Sequence, residues 1–185
     1  MHILIVDDEI EKAQDLQRCL NDGGVTCEVT HSTTAAGARR ELAKSSIDLL
    51  VVDLNLPDTL GAAPTGTGGL AFFDLVTVDL AARLPREVVF ITAKEDLVAE
   101  SRSEVERRGG FLYTYGRDEG WKVALLGKAR YIQRAKERAE ALRADVLIIT
   151  ALRKPELSAV LDLNYGWSSL KDSGEIGRAS CRERV

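Results

Sequence analysis

The chain is short of the residues that build several common kinds of site. Its 185 residues include two histidines, three cysteines, four prolines and one methionine, and only 5% are aromatic. His2 and His31 stand in no triad-like arrangement, so a Ser-His-Asp hydrolase has no base to work with, and both read as structural or exposed. Cys19 and Cys27 have neither metal-type nor redox spacing and read as buried free thiols. Basic charge is not in excess: 25 Lys and Arg against 29 Asp and Glu give a formal charge of −4, which argues against direct nucleic-acid binding. No apolar run approaches a membrane span, and the N-terminus enters a strand without the charged segment and cleavage site of a signal peptide. Those absences point to a cytoplasmic protein with no membrane partner. Apolar content of 45% and charged content of 29% are those of a globular chain, long enough for one ordinary domain with some excess.

What is present is a set of short apolar runs that end in chemistry. Ile3-Leu4-Ile5-Val6 leads into Asp7 and Asp8, Leu49-Leu50-Val51-Val52 into Asp53, and Val88-Val89-Phe90-Ile91 into Thr92. Continuous apolar strands alternating with amphipathic stretches predict a doubly wound α/β domain with a parallel sheet buried on both faces. Strand C-termini then share one edge, where such folds bind ligands. Three carboxylates and a hydroxyl would converge there. Two carboxylates about 4 Å apart repel by roughly 4 kcal/mol at an effective dielectric near 20. The cluster therefore asks for a cation, and Mg²⁺, a hard ion held by carboxylates, water and phosphate oxygens, suits it.

The stretches ILIVDDE, DLNLP around Asp53 and FITA ending at Ala93 resemble the receiver domain of bacterial two-component response regulators, over Met1 to near Arg134. The resemblance implies a five-stranded sheet in the flavodoxin-like order 2-1-3-4-5 and a phosphoryl group accepted on Asp53 from a histidine kinase. It also implies Mg²⁺ held by Asp8, Asp53 and the Asn55 carbonyl, with Asp7 acting partly through water. Thr92 would bond the phosphoryl oxygen, Ala93 would leave room for it, Pro57 would shape the following loop, and Tyr113 stands where a switch aromatic is often found.

One residue of that pattern is missing. Receivers usually carry Lys-Pro at the end of strand five, whereas GGFLYTYGRDEG places Gly116 and Arg117 there. A lysine ammonium can pair with the acceptor and then with its phosphate, and glycine cannot. Arg117 and Lys94 are the possible substitutes, and the departure leaves open a degenerate receiver that docks or dimerises without phosphorylation. A haloacid-dehalogenase-type hydrolase would need a second Asp where Asn55 stands.

The remaining elements follow from periodicity. A helix with Ile10, Ala13, Leu16 and Leu20 inward precedes a strand near Thr26–Thr30, and Ser32 or Thr33 caps a helix with Ala35, Ala38 and Leu42 inward. Strand three is Ile47–Val52. The loop Pro57–Gly69 lacks the GK[ST] ending of a P-loop and reads as a flexible insertion beside the active edge. A helix near Leu70–Ala82 has a stripe of Leu70, Phe73, Val76 and Leu80. Strand Val88–Thr92, a charged helix near Asp96–Arg108 and strand Phe111–Thr114 come next. From Glu119 a long helix carries Val123, Leu126, Ala129, Ile132, Ala135, Ala139 and Leu142 at three- and four-residue steps.

This divides the chain into a receiver at 1–134, a helical linker at 135–143 and the start of an effector domain at 144–174. A homodimer would use the face made by the helix near Asp96–Arg108, the strand Phe111–Thr114 and the long helix from Glu119, or the linker helix. Val146–Thr150 with the ALRKPELSAVLDL segment is weakly similar to the opening of nucleoside phosphorylases, which would make Glu156 a counterpart of a catalytic glutamate, although Lys154-Pro155 disturbs the spacing. Residues 175–185, EIGRASCRERV, resemble a translated sequencing-library adapter and are expected to be an artefact, Cys181 included, with the frame cut short before the effector is complete. No enzymatic activity is expected from such a fragment.

Overall fold

A computed structural model describes residues 1–79, 84–116, 118–141, 168–169 and 179–180. Five parallel strands, β1 (His2–Val6), β2 (Glu28–Ser32), β3 (Leu49–Val52), β4 (Glu87–Thr92) and β5 (Phe111–Thr114), form one sheet in the order β2-β1-β3-β4-β5. Five helices alternate with them: α1 (Ile10–Asp22), α2 (Ala35–Lys44), α3 (Gly68–Asp79), α4 (Glu95–Arg107) and α5 (Gly120–Ala141). This is the doubly wound, flavodoxin-like topology expected from the sequence.

The alternation of side chains along each strand builds two separate cores. Ile3 and Ile5, Leu49 and Val51, Val89 and Ile91 pack against Leu16 and Leu20 of α1 and Trp121, Leu125, Ala129 and Ile132 of α5. Leu4 and Val6, Leu50 and Val52, Val88 and Phe90 pack against α2, α3 and α4. Being covered on both faces is why the interiors of β1, β3 and β4 are unbroken apolar runs, with polar residues only at strand ends such as His2, Glu87 and Thr92.

Several expectations shift at the edges. Ile10 is 58% exposed, and the buried stripe of α1 begins instead at Lys12, four residues before Leu16. The stripe of α5 runs through Trp121, Leu125, Ala129 and Ile132, while Val123 is 73% exposed and Ala135 and Ala139 face solvent. Two residues from Trp121 is about 200° around a helix, so the bulky indole sets the phase and turns Val123 outward. The N-cap of α2 is Thr34, neither Ser32 nor Thr33: its hydroxyl accepts from the Gly37 amide at 3.0 Å.

The 57–69 loop is anchored rather than loose. The Pro57 and Asp58 carbonyls accept from the Ala35 and Ala36 amides, satisfying two more free donors at the start of α2. Leu56 pairs with Thr65 in an isolated antiparallel bridge, and the Gly69 amide donates to the Leu54 carbonyl. Between these anchors residues 58–65 are exposed, with Gly61 in the left-handed region that glycine tolerates.

The chain divides into two compact units, Met1–Lys136 and Glu137–Val185. In the second, the described residues outside α5 form a two-residue antiparallel pair, β6 (Ser168–Ser169) with β7 (Ala179–Ser180). The strand expected at Val146–Thr150, Glu156, and Leu80 and Leu142 of the expected stripes lie outside the described residues. Among the described residues no helix is long and apolar enough to cross a membrane.

Candidate functional site

The register of the sheet brings the strand ends together. Val6 pairs with Val52, so Asp7 and Asp53 emerge side by side, and the Asp53 amide donates to the Val6 carbonyl at 2.9 Å. Each of Asp7, Asp8 and Asp53 offers a carboxylate oxygen within 4.8 Å of the others. Asp7 and Asp53 are buried, and Asp8 Oδ1 is buried without a protein hydrogen-bond partner. His31 braces this edge by donating from Nε2 to the Asp7 carbonyl at 2.8 Å.

Thr92 is fully buried at the end of β4, and its hydroxyl accepts from the Lys94 amide at 3.3 Å. Ala93 and Lys94 are exposed, Asn55 is half-buried two residues beyond Asp53, and Tyr113 is half-buried on the α1–α5 side of β5. Gly116 is exposed past the end of β5, and Arg117 lies outside the described residues.

The cation that meets the carboxylates is one the sequence reading overlooked. Lys12, in the first turn of α1, places Nζ 2.9 Å from Asp7 Oδ2 and 3.0 Å from Asp53 Oδ1, with its side chain almost wholly buried. Helical side chains lean toward the N-terminus, and α1 begins at the active edge, so Lys12 leans down onto the acidic pair. Burial works against the ammonium, but Asp53 and Asp7 outweigh it and hold its pKa above the ordinary lysine value. Burial also pushes Asp7 up to about 6, partly opposed by Lys12 and reinforced by the charge on Asp53. The signal was available: Leu16, Cys19 and Leu20 define an inward face, and stepping back four residues from Leu16 lands on Lys12.

The donor set fits a divalent cation. Three carboxylates facing one ammonium leave two negative charges, and Asp8 Oδ1 is an oxygen waiting for a partner. Hard oxygen ligands of this kind suit Mg²⁺.

The chain and its fold have counterparts among known proteins. The chain is 33% identical over 172 residues to an uncharacterized protein of Sinorhizobium fredii, y4jS, a match covering 86% of this chain and 42% of that protein. It is 31% identical over 97 residues to the TorCAD operon transcriptional regulatory protein TorR of Escherichia coli, covering 52% of this chain and 36% of TorR. The chain thus spans less than half the length of either relative. Among solved structures, a response regulator receiver domain protein from Clostridium thermocellum superposes with a TM-score of 0.55 at 16% identity, over 74% of this chain and 97% of that one. The first unit has the receiver fold. NtrX from Brucella abortus superposes with a TM-score of 0.56 at 20% identity, over 86% of this chain and 33% of NtrX. No protein-family model matches the chain. Within the receiver fold, the acidic cluster sits at the C-terminal edge of the sheet, where the strand order reverses beside β1 and β3.

Proposed function

We propose that the chain is a response regulator receiver that accepts a phosphoryl group on Asp53 from a histidine kinase and switches an effector C-terminal to it. The observation that carries this reading is the convergence of Asp7, Asp8 and Asp53 beside Thr92 at one sheet edge of a receiver fold. Mg²⁺ would be held by Asp8 and Asp53, with the Asn55 carbonyl and, partly through water, Asp7, and when bound it would offset the charge of the incoming phosphoryl oxygens.

In the transfer, an Asp53 carboxylate oxygen attacks the phosphorus of a phosphohistidine. The new O–P bond forms as the P–N bond breaks, and the departing imidazole nitrogen keeps the electron pair and takes up a proton. There is little covalent chemistry for the protein beyond this, so positioning and electrostatics supply most of the catalysis. Thr92 would bond a phosphoryl oxygen, Ala93 would leave it room, and Tyr113 would follow the rearrangement. The phosphoryl group, carrying about −2 where the carboxylate carried −1, would then bias the α4–β5–α5 face, which would also be the surface for a homodimer, with the helical linker as a second dimerising element.

The likeness to y4jS covers more of the chain than the first unit alone contains, so it runs past Lys136, which supports a natural continuation there. A linker at 135–143 and an effector beginning at 144–174 are the reading it favours. Borohydride trapping tests the acceptor directly: reduction of an acyl phosphate at Asp53 yields homoserine, which peptide mass spectrometry locates. Homoserine at position 53 is expected, and homoserine elsewhere would overturn the assignment.

A further inference from the structure

A receiver's lysine normally reaches the acceptor from the end of strand five, and here that end is Gly116. We propose that Lys12, on α1, does this work instead: it holds Asp53 before transfer and grips the phosphoryl oxygens afterwards. The proposal rests on the reading of Asp53 as the acceptor and adds the residue that serves it.

Three observations carry it. Lys12 Nζ already bridges Asp7 Oδ2 and Asp53 Oδ1 at 2.9 and 3.0 Å. The side chain is about as buried as any in the core, so it is not a solvated surface lysine that happens to lie nearby. Taking an ammonium out of water is costly, and the same point on the inward stripe of α1 could carry an apolar residue at no such cost. The usual position, by contrast, is open: a Cβ at Gly116 would meet nothing within 4 Å.

Asp7 gives the arrangement its second anchor. When Asp53 becomes an acyl phosphate, its carboxylate charge is lost and about two negative charges appear on the phosphoryl oxygens. Lys12 can stay paired with Asp7 while its contact with Asp53 passes to a phosphoryl oxygen. Because this lysine stands on α1 and not on β5, the phosphoryl group acts on α1 directly. Tyr115, whose ring lies 5.9 Å from Lys12 Nζ and whose hydroxyl bonds Asp15, ties that helix to the end of β5.

The test uses the full chain with Mg²⁺ and acetyl phosphate, comparing wild type, Lys12→Met and the double variant Lys12→Met/Gly116→Lys, with Asp53→Asn as the control. Intact mass follows the rate of labelling, circular dichroism follows the fold, and amide hydrogen exchange follows the first turn of α1 on adding beryllofluoride, a phosphoryl mimic. Lys12→Met should remain folded and label about a hundredfold more slowly, the scale of losing one preorganised charge at a reacting group. The double variant should recover much of the rate, and wild-type α1 should change its exchange on adding the mimic. A folded Lys12→Met that labels at the wild-type rate would overturn the proposal. Should Lys12→Met fail to fold, the wild type decides: no change in α1 exchange on adding beryllofluoride to a chain that labels on Asp53 would equally overturn it. A wild type that takes no phosphoryl group on Asp53 refutes the acceptor reading itself, and the Lys12 assignment with it.

Discussion

Tyr115 Oη donates a 2.7 Å hydrogen bond to Asp15 Oδ2, joining the residue after β5 to α1 across 100 residues of sequence. The Tyr115 amide also donates to the Thr92 carbonyl, and its ring lies 5.1 Å from that of Trp121. One residue, through its amide and its side chain, thus links the ends of β4 and β5 to the two helices that cover this face of the sheet. Tyr115→Phe should lower stability by about 1 kcal/mol, the usual net worth of such a bond, read as a shift of the urea midpoint.

The same bond predicts a pH dependence. Burial, and then the bond and charge of Asp15, push the Tyr115 phenol up to about 12. A folded pKa above the unfolded value near 10 means that the native state keeps the proton longer. The contribution is therefore full below pH ~10 and fades as pH rises toward about 12. Wild type should lose its advantage over Tyr115→Phe across that window, and an advantage unchanged through it would contradict the assignment.

Gly69 explains why the chain needs glycine where α3 begins. A Cβ there would collide with the Asp53 carbonyl oxygen, which is backbone and cannot turn aside. Gly69→Ala should displace either the start of α3 or the acceptor's own peptide, costing about 1–3 kcal/mol in the manner of overpacking. Labelling of Asp53 should fall along with the urea midpoint.

The core on the α2–α3–α4 side turns on Phe90, which is fully buried and meets Phe73 edge-to-face with ring centroids 5.9 Å apart. Phe90→Ala should cost about 3–5 kcal/mol, a large share of a small domain's stability. The loss should appear in chemical denaturation, and a cost below 1 kcal/mol would mean that the ring is less enclosed than described.

Asp8 isolates the metal prediction from the acceptor. Its Oδ1 is buried without a protein partner, so it is the ligand whose loss disturbs the protein least. Asp8→Asn should weaken Mg²⁺ binding by about tenfold or more, since even changes to groups behind the ligands cost that much. Isothermal titration would detect it, and unchanged affinity would place the ion elsewhere.

The parallel sheet covered on both faces was legible because such strands leave unbroken apolar runs whose ends mark Asp7, Asp53 and Thr92, whereas the strand order came from the family resemblance. Helix phase was less legible. Ile10 and Val123 fit a three- and four-residue rhythm, yet neighbouring residues, Lys12 and Trp121, occupy the inward face. The hidden lysine has one cause: a charged residue on an apolar stripe is discounted by any reading that sorts faces by hydrophobicity, although burial beside two carboxylates is what a working ammonium requires. The anchoring of the 57–69 loop was also invisible, because it depends on backbone carbonyls meeting the free amides of α2, which no side-chain pattern records.

The most direct test of the account is the intact mass of the full chain after incubation with Mg²⁺ and acetyl phosphate, beside Asp53→Ala and a chelated control. The wild type should gain one phosphoryl group and neither control any. A folded, Mg²⁺-binding chain that takes up no phosphoryl group, or an Asp53→Ala variant that labels as the wild type does, would contradict it.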